Sequence, residues 1–237
     1  MNAAQFVRAA TVLAPVPFVP EISLQQAADI WALWEQTERE LGVTGLPPPF
    51  WAVAWPGGQA LARYLLDHPA LVAGRTVLDV GSGSGLVAIA AARAGAAATL
   101  ASETDPLARA AIEVNSAANA VDKPGCLDDV SDTTPAVDVV VAGDVWYERE
   151  LAEAMIAFFD RAAAAGALVL AGDIGRRYFP RNRYEHLASY ELEASIDLEG
   201  SRRLTASIWQ AGSPKLADGT GDNTSYDRDG IARIVRG

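Results

Sequence analysis

The spacing of hydrophobic residues predicts two kinds of element after residue 76. Short apolar runs alternate with longer amphipathic segments, which is typical of parallel strands connected by helices. The predicted strands are Thr76–Val80, Ala98–Ser102, Gly125–Leu127, Val137–Gly143 and Ala167–Ala171, and the predicted helices are Leu86–Ala94, Asp105–Ala120 and Glu148–Ala165. Two consecutive runs, Tyr190–Leu198 and Thr205–Gln210, are expected to form a closing hairpin. The pattern predicts an α/β fold with a seven-stranded, mostly parallel sheet, an antiparallel C-terminal hairpin and helices on both faces.

The N-terminal part of the chain has a weaker pattern that is interrupted by prolines. Met1–Pro20 is apolar and contains several prolines, so we expect an irregular arm with a short strand. Ser23-Leu24-Gln25-Gln26 is typical of a capping box, in which a serine is followed three places later by glutamine. A helix should follow it, pass through Trp31 and Trp34, and end at Gly42.

The chain is predicted to contain one main domain with a segment on either side. We assign residues 1–45 to an N-terminal arm and helix that pack on the core. Residues 46–212 form the main domain, which starts with a proline-rich loop and a helix over Gly58–Asp67. Residues 213–237 are rich in Gly, Asp and Asn, so we expect a disordered tail there.

The composition narrows the classes of function. The 237 residues carry a formal net charge of −11 and show no basic face of the kind that binds nucleic acid. This acidity favours solubility and also speeds encounter with lysine-bearing surfaces. The single cysteine, Cys126, excludes a disulfide framework, and with only two histidines we expect no metal site. Since the chain has neither a bilayer-spanning apolar run nor the pattern of a secretion signal, we expect a cytoplasmic protein without a membrane partner.

A glycine-rich turn joins the first predicted strand of the sheet to its helix, where open α/β sheets bind ligands. Glycines allow the backbone to turn sharply, and the helix N-terminus offers free N–H donors to a carboxylate. A dinucleotide fingerprint would need glycine at position 86, which is Leu86. The G-x-G-x-G spacing after Asp79, with Glu103 placed to accept from two ribose hydroxyls, is typical of seven-strand methyltransferases that bind S-adenosylmethionine. The residues assigned to this cofactor are Asp79, Gly81, Ser82, Gly83, Gly85, Glu103 and Gly143.

The position of the cofactor's adenine has two open interpretations. Asp128, or its neighbour Asp129, follows the third strand of the sheet and could accept from the exocyclic amine, or could be an exposed loop carboxylate. Trp55 could stack on the cofactor or line its pocket, or could serve in packing alone. We assign Asp128 and Trp55 to cofactor binding.

The end of the fourth strand of the sheet supplies the candidate acceptor residues, Asp144 and Tyr147. Methyl transfer needs a neutral nucleophile, and a lysine amine, whose reference pKa is about 10.4, must first lose a proton. A carboxylate can orient the ammonium and take that proton, directly or through water. An aromatic ring beside it favours the cation. The alternative for Asp144 is a cap of the helix that begins near Glu148.

Several motifs occur together in one order. They are Pro20-Glu21-Ile22, Pro49-Phe50-Trp51-Ala52, Trp55-Pro56-Gly57-Gly58-Gln59-Ala60-Leu61, the glycine turn, Glu103-Thr104-Asp105-Pro106, Asn115, Asn119, Gly143-Asp144-Val145-Trp146-Tyr147 and Gly172-Asp173-Ile174-Gly175-Arg176. From about Pro20 to Ala211, this order resembles the protein-lysine methyltransferases that act on the β-subunit of electron-transfer flavoprotein. The resemblance implies a Rossmann-like methyltransferase sheet and an acceptor-lysine site at Asp144 and Tyr147. It also implies that Gly172, Asp173 and the following loop shape substrate access. Relatives often have Asp where Glu103 stands.

The expected function is that of an S-adenosylmethionine-dependent protein-lysine N-methyltransferase acting on the electron-transfer flavoprotein β-subunit. We expect a monomer whose partner is a protein. Two alternatives remain. The enzyme could methylate a ribosomal protein or a small molecule, or the fold could bind the cofactor without turnover and serve as an assembly factor.

Overall fold

The computed structural model describes residues 2–134, 136–194 and 196–212 of the chain. The predicted disordered tail, residues 213–237, lies outside the described residues. The helices are α1 (Ala3–Ala10), α2 (Ile30–Leu41), α3 (Pro56–Asp67), α4 (Leu86–Arg93), α5 (Pro106–Ala118), α6 (Arg149–Ala164) and α7 (Ile196–Glu199). The strands are β1 (Val12–Val16), β2 (Val19–Gln26), β3 (Thr76–Val80), β4 (Ala98–Ser102), β5 (Gly125–Leu127), β6 (Val139–Gly143), β7 (Leu168–Asp173), β8 (Glu185–Glu193) and β9 (Arg203–Ala211).

Seven strands form the central sheet in the order β5-β4-β3-β6-β7-β9-β8. Strands β3 to β7 are parallel, whereas β9 pairs antiparallel with both β7 and β8. The predicted fold class is therefore confirmed. Because parallel strands end at the same edge, this order brings the residues that follow β3, β4, β6 and β7 close together.

The two faces of the sheet are covered by different helices. In β6, Val139 and Val141 pack with residues of α3 and α4, whereas Val140 and Ala142 pack with the α6 side chains Met155, Phe158 and Phe159. This alternation follows from the two-residue period of a strand. Both faces of the central strands are apolar, as expected for a parallel sheet that is buried on both sides.

The N-terminal prediction was wrong in its elements. Residues 3–10 form helix α1, and β1 and β2 form a separate antiparallel sheet in place of an irregular arm with one strand. Asn2 begins α1 with a reciprocal capping box, because its side chain accepts from the Gln5 N–H and the Gln5 side chain accepts from the Asn2 N–H, both at 2.9 Å. The prolines that suggested irregular structure lie after this helix.

The capping box predicted at Ser23 was also wrong, because this segment belongs to β2. Its backbone pairs with β1, and two further N–H groups have partners in α5 and at the C-cap of α5. Ser23 N–H donates to the Asn119 side chain at 3.0 Å, and Gln25 N–H donates to the Asn115 side chain at 2.8 Å. Helix α2 begins instead after Asp29, whose carboxylate accepts from two N–H groups of the first turn, and it ends at Gly42 as predicted.

The predicted hairpin is present, but its first strand begins earlier in the chain than predicted. Strand β8 begins at Glu185, five residues before the predicted start at Tyr190, and residues 196–199 form the short helix α7. One face of β8 is largely exposed, so its polar first residues gave no apolar signal. In the part of the chain that the structure describes, no helix is both long enough and apolar enough to cross a bilayer.

Candidate functional site

The glycine turn follows β3 and has a left-handed backbone at each of its three glycines. Gly81, Gly83 and Gly85 have φ values of 64°, 53° and 82°, which L side chains rarely adopt. The N–H groups of Gly81 and Ser82 both donate to the Ser102 carbonyl at the end of β4, at 3.0 and 3.2 Å. The turn is thereby tied to the neighbouring strand.

Glu103 follows β4 and lies beside this turn. One oxygen of its carboxylate accepts from the Gly83 N–H at 2.9 Å, and the other accepts from the N–H groups of Thr104 and Asp105 at 2.8 and 3.0 Å. Three backbone donors therefore hold the predicted ribose-binding carboxylate against the turn. A Cβ atom at Gly83 would stand in ordinary van der Waals contact with the Trp51 Cα, at 3.8 Å.

Asp79 is buried beneath the turn. Its carboxylate accepts from the Ser82 hydroxyl at 2.7 Å and from the Ala88 N–H, in the first part of α4, at 3.1 Å. Burial raises the pKa of Asp79 to about 7, and the negative charge of Glu103 adds to this, whereas the two hydrogen bonds lower it. Asp79 therefore connects the turn to its helix at a cost in electrostatic free energy.

We expect Asp79→Asn to stabilise the folded protein at pH 8 but not near pH 4. In the unfolded chain Asp79 ionises near pH 4, whereas in the folded chain it keeps its proton to about pH 7. Stability is therefore lost as pH rises through this window, by about 1–4 kcal/mol at roughly 1.4 kcal/mol per pKa unit. Urea unfolding at both pH values measures the difference between variant and wild type. An equal gain in stability at both pH values would contradict a pKa of about 7 for Asp79.

Asn115 on α5 is a supporting residue to which sequence analysis gave no role. It is fully buried, and its side chain donates to the Ser84 carbonyl in the turn at 2.8 Å while accepting from the Gln25 N–H of β2. It thus connects the turn to the N-terminal sheet. The sequence shows Asn115 and its spacing of four from Asn119. It does not show their hydrogen-bond partners, one of which lies 90 residues away.

The remaining predicted cofactor residues, Asp128, Trp55 and Gly143, lie outside the turn. Asp128 follows β5, and its exposed carboxylate is paired with Arg109, which also donates to the Glu103 carbonyl at 2.6 Å. Trp55 precedes α3, and its indole N–H donates to the Phe50 carbonyl at 2.8 Å. Gly143 ends β6 and packs on α3, since a Cβ atom there would lie 2.7 Å from the Gly58 Cα.

Asp144 stands directly after β6 with a buried side chain. Its backbone is left-handed, with φ of 59°. Oδ2 accepts from the Gly58 N–H at 3.0 Å, Oδ1 accepts from Arg176 Nε at 3.1 Å, and Arg176 Nη2 forms an ion pair with Oδ1 at 2.9 Å. Helix α6 begins after Glu148 without a side-chain cap, so the carboxylate of Asp144 serves the start of α3 and not that of α6.

Three glycines allow α3 to lie directly on the ends of the strands. A Cβ atom at Gly57 would lie 2.5 Å from the Gly172 carbonyl oxygen and 2.6 Å from Asp144 Oδ2, and one at Gly172 would overlap the Gly57 carbonyl oxygen. With Gly143 against Gly58, these contacts bring the α3 N-terminus to the Asp144 carboxylate. A helix N-terminus favours a negative charge at this place.

The charge state of Asp144 is set by opposing influences. Burial raises its pKa to about 6. The Arg176 guanidinium and the Gly58 N–H lower the pKa, whereas the nearby carboxylates of Asp173 and Glu199 raise it. At neutral pH and above, Asp144 is therefore mainly ionised.

Three aromatic rings form a connected group that reaches Arg176, the arginine paired with Asp144. Tyr147 and Phe50 are 46% and 38% exposed, and their ring centroids are 5.6 Å apart. Phe50 also meets Trp55 edge to face at 5.7 Å, and the Arg176 guanidinium lies 5.6 Å from the centroid of the Trp55 ring. Tyr147 and Trp55 were predicted site residues, whereas Phe50 and Arg176 were noticed only as parts of motifs.

The site fits S-adenosylmethionine. The turn presents left-handed glycine backbone, Glu103 is fixed beside it as an acceptor for hydroxyls, and Asp144 follows β6 at the same edge of the sheet. This edge is where open α/β sheets hold their ligands.

Comparisons with known proteins agree with this assignment. A family model described as ribosomal protein L11 methyltransferase (PrmA) matches residues 60–174. The electron transfer flavoprotein beta subunit lysine methyltransferase of Danio rerio is 35% identical over 198 residues, which cover 81% of this chain and 76% of the relative. The protein of the same name from Xenopus laevis is 37% identical over 203 residues, covering 81% and 80%. A solved methyltransferase structure from Pyrococcus horikoshii has a TM-score of 0.54 at 17% identity, covers 70% of this chain and 89% of its own, and shows the fold alone.

The fold, the glycine turn and these alignments over most of both chains lead to one conclusion: the protein is an S-adenosylmethionine-dependent methyltransferase and belongs to the electron transfer flavoprotein beta subunit lysine methyltransferase family.

Proposed function

We propose that this enzyme methylates a lysine side chain of the electron transfer flavoprotein beta subunit, with Asp144 and Tyr147 at the acceptor site. The observation that carries the proposal is a buried carboxylate, Asp144, whose partner Arg176 lies against Trp55 in a connected group of partly exposed rings, Trp55, Phe50 and Tyr147. A lysine has a long apolar stem and a cationic head, and rings leading to a carboxylate suit both parts. The names of the relatives supply the identity of the protein substrate.

In this proposal the cofactor is held by the turn and by residues beside it. Gly81, Ser82, Gly83 and Gly85 receive its methionine end, Asp79 supports the turn from below, and Glu103 accepts from the ribose. The bound cofactor supplies a methyl group on a sulfonium sulfur. Gly143 supports the site through its contact with α3, and Trp55 lines it. Asp128 is assigned to the adenine amine, and its ion pair with Arg109 keeps it at the end of β5 near Glu103.

Asp144 acts on the acceptor. Its ionised carboxylate orients the entering ammonium and accepts a proton from it, directly or through water, which leaves a neutral amine. The neutral amine would then offer its lone pair to the methyl group that the cofactor supplies. Phe50, Trp55 and Tyr147 hold the lysine stem and exclude water. Alignment of the two reacting atoms accounts for most of the rate, because near-attack geometry contributes on the order of 7–11 kcal/mol.

An open groove of about 830 Å³ beside Trp55 suits the docking of the protein substrate. It is lined by Asp29, Trp31 and Glu193 among other residues. Carboxylates and exposed indole rings favour a basic segment of a partner, and the net charge of −11 acts in the same direction. We therefore take the partner to be a protein rather than nucleic acid or a membrane, and the enzyme to act as a cytoplasmic monomer.

A second substrate is suggested by the match to the ribosomal protein L11 methyltransferase model, which covers residues 60–174. This range contains the glycine turn and Asp144. It leaves out Phe50 and Trp55, which line the acceptor approach, and the alignments to the flavoprotein methyltransferases cover more of the chain. The observations therefore favour the flavoprotein subunit.

The test is a methyl-transfer assay with labelled S-adenosylmethionine and three substrates: the electron-transfer flavoprotein, ribosomal protein L11 and a proteome extract from the same source. Mass spectrometry locates the label. We expect lysine methylation of the flavoprotein beta subunit. Label on L11 alone, or on a residue type other than lysine, would replace the proposed substrate, and labelling of an extract protein would identify the true one.

A further inference from the structure

Arg176 is at the centre of a buried cluster of charges for which the proposed function gives no role. Its guanidinium Nη2 lies 2.9 Å from Asp144 Oδ1 and 3.0 Å from Glu199 Oε1. The side chains of Asp144, Glu199 and Arg176 are only 5%, 7% and 17% exposed. An ion-pair cluster this well removed from water is expensive to form and calls for a functional explanation.

The loop that carries Arg176 is fixed by a third carboxylate. Asp173 ends β7, and its Oδ1 accepts from the N–H groups of Gly175 and Arg176, at 2.5 and 2.7 Å. Gly175 has a φ of 87°, and the Arg181 guanidinium occupies the place where its Cβ atom would stand. The backbone of Arg176 is thus held at the end of the strand next to β6, within reach of Asp144.

The contacts of the guanidinium divide the two oxygens of Asp144. Oδ1 accepts from Arg176 Nε and lies beside Nη2, while Oδ2 accepts the Gly58 N–H from α3. A carboxylate oxygen has two lone pairs, so each oxygen of Asp144 retains one for another donor. The charged groups that act on Asp144 are Arg176 and Asp173 from the end of β7 and Glu199 from α7, and α3 contributes a backbone N–H.

We propose that Arg176 is a positioning residue for methyl transfer: anchored on Glu199, it keeps the Asp144 carboxylate charged and oriented to receive the acceptor lysine. The inference rests on the proposed acceptor role of Asp144. It assigns to Arg176 no contact with the reacting atoms.

Two physical effects follow from a guanidinium at this place. An arginine beside a carboxylate lowers the pKa of that carboxylate by about 1–3 units, which offsets the burial of Asp144. The same positive charge disfavours a second cation nearby, so the entering lysine loses its proton more readily. Both effects make the reaction possible at lower pH, and both are lost together when the guanidinium is removed.

The experiment measures the titration of Asp144 by carbon-13 NMR of protein labelled in its aspartate carboxyls, with Asp144→Asn assigning the signal. We expect Arg176→Gln to raise the midpoint by about one unit or more, and Arg176→Lys to restore part of the shift, since lysine keeps the charge without the two-nitrogen contact. Arg183→Gln is the matched control, because it removes an exposed guanidinium that pairs with Asp160 at 2.6 Å. This readout needs no substrate, so its failure is distinct from failure of the proposed function.

The second readout is the pH dependence of kcat/KM on whichever substrate the transfer assay identifies. Arg176→Gln should move the rising limb of the profile to higher pH, with activity approaching that of wild type at alkaline pH. An unmoved NMR midpoint in both Arg176 variants would overturn the proposal. So would a lower KM at every pH without a shift, because the guanidinium would then be a group that the lysine displaces. An equal loss of kcat/KM at every pH would show that Arg176 has a purely structural role.

Discussion

Asp144→Asn is expected to lower the rate of methyl transfer by about 10²- to 10⁴-fold, the range found for a positioned acid–base group, while the affinity for S-adenosylmethionine changes little. The substitution removes the charge that orients the acceptor ammonium and the site that takes its proton. The assigned cofactor residues of the turn and Glu103 make no hydrogen bond to Asp144, so the binding of the methyl donor should persist.

Asparagine is the informative replacement at this position. Residue 144 has a φ of 59°, and asparagine tolerates the left-handed region far better than most residues. Its amide oxygen can still accept the Gly58 N–H, and Arg176 keeps Glu199 as a partner. The backbone and α3 should therefore stay in place, so that a loss of rate reports on the charge.

Labelled-methyl transfer and calorimetry of cofactor binding measure the two quantities separately. The control is Asp160→Asn, which removes a half-exposed carboxylate of α6 paired with Arg183. If Asp144→Asn transfers methyl groups at the wild-type rate, the acceptor assignment is wrong. If it loses cofactor binding as well, Asp144 belongs to the cofactor site.

Gly83→Val is expected to weaken the binding of S-adenosylmethionine by at least about 100-fold, which corresponds to roughly 3 kcal/mol. Gly83 has a φ of 53°, and a β-branched side chain is strongly disfavoured there. The Cβ atom would already contact the Trp51 Cα at 3.8 Å, so the two further methyl groups would crowd the turn and the place of the cofactor. Any shift of the backbone would break the 2.9 Å hydrogen bond from the Gly83 N–H to Glu103.

Gly74→Val is the control that separates the effect of backbone strain from the effect of a side chain in the cofactor site. Gly74 has a similar φ of 72°, and no atom lies within 4 Å of the place of its Cβ atom. Both variants should therefore lose stability, by about 1–3 kcal/mol for a non-glycine residue held in this region. Only Gly83→Val should lose cofactor binding in calorimetry. Equal affinities for the two variants would mean that the turn is not where the cofactor binds.

The sheet and the turn could be predicted from sequence because their signals are local. Strands β3, β4 and β5 have the predicted bounds, since each is a short run between a helix and a loop. The G-x-G-x-G spacing identified the turn, because left-handed backbone requires glycine at those positions. Asp144 and Tyr147 were placed near it because a residue that follows β6 must lie beside one that follows β3.

Long-range partners could not be predicted in this way. Ser23 begins no helix, because its segment pairs with β1 and donates to Asn115 and Asn119, which lie about 90 residues away. Arg176 gave no sign of its contact with Asp144, because one arginine in a loop is ordinarily exposed. Glu199 lies between the two predicted strands of the hairpin, and it meets Arg176 only in the folded protein.

The close seating of α3 on Gly143 and Gly172 has a consequence for engineering a new acceptor specificity. The floor formed by these glycines offers no side chain to trim, and a Cβ atom added at Gly57, Gly143 or Gly172 would meet backbone within 3 Å. Variation is better tolerated at Phe50, Trp55 and Tyr147, which lie in a short 3-10 turn and in loops. A library that randomises these three rings and leaves the glycines alone should yield folded enzymes with altered substrate choice. One that opens the floor should yield mainly proteins that do not fold.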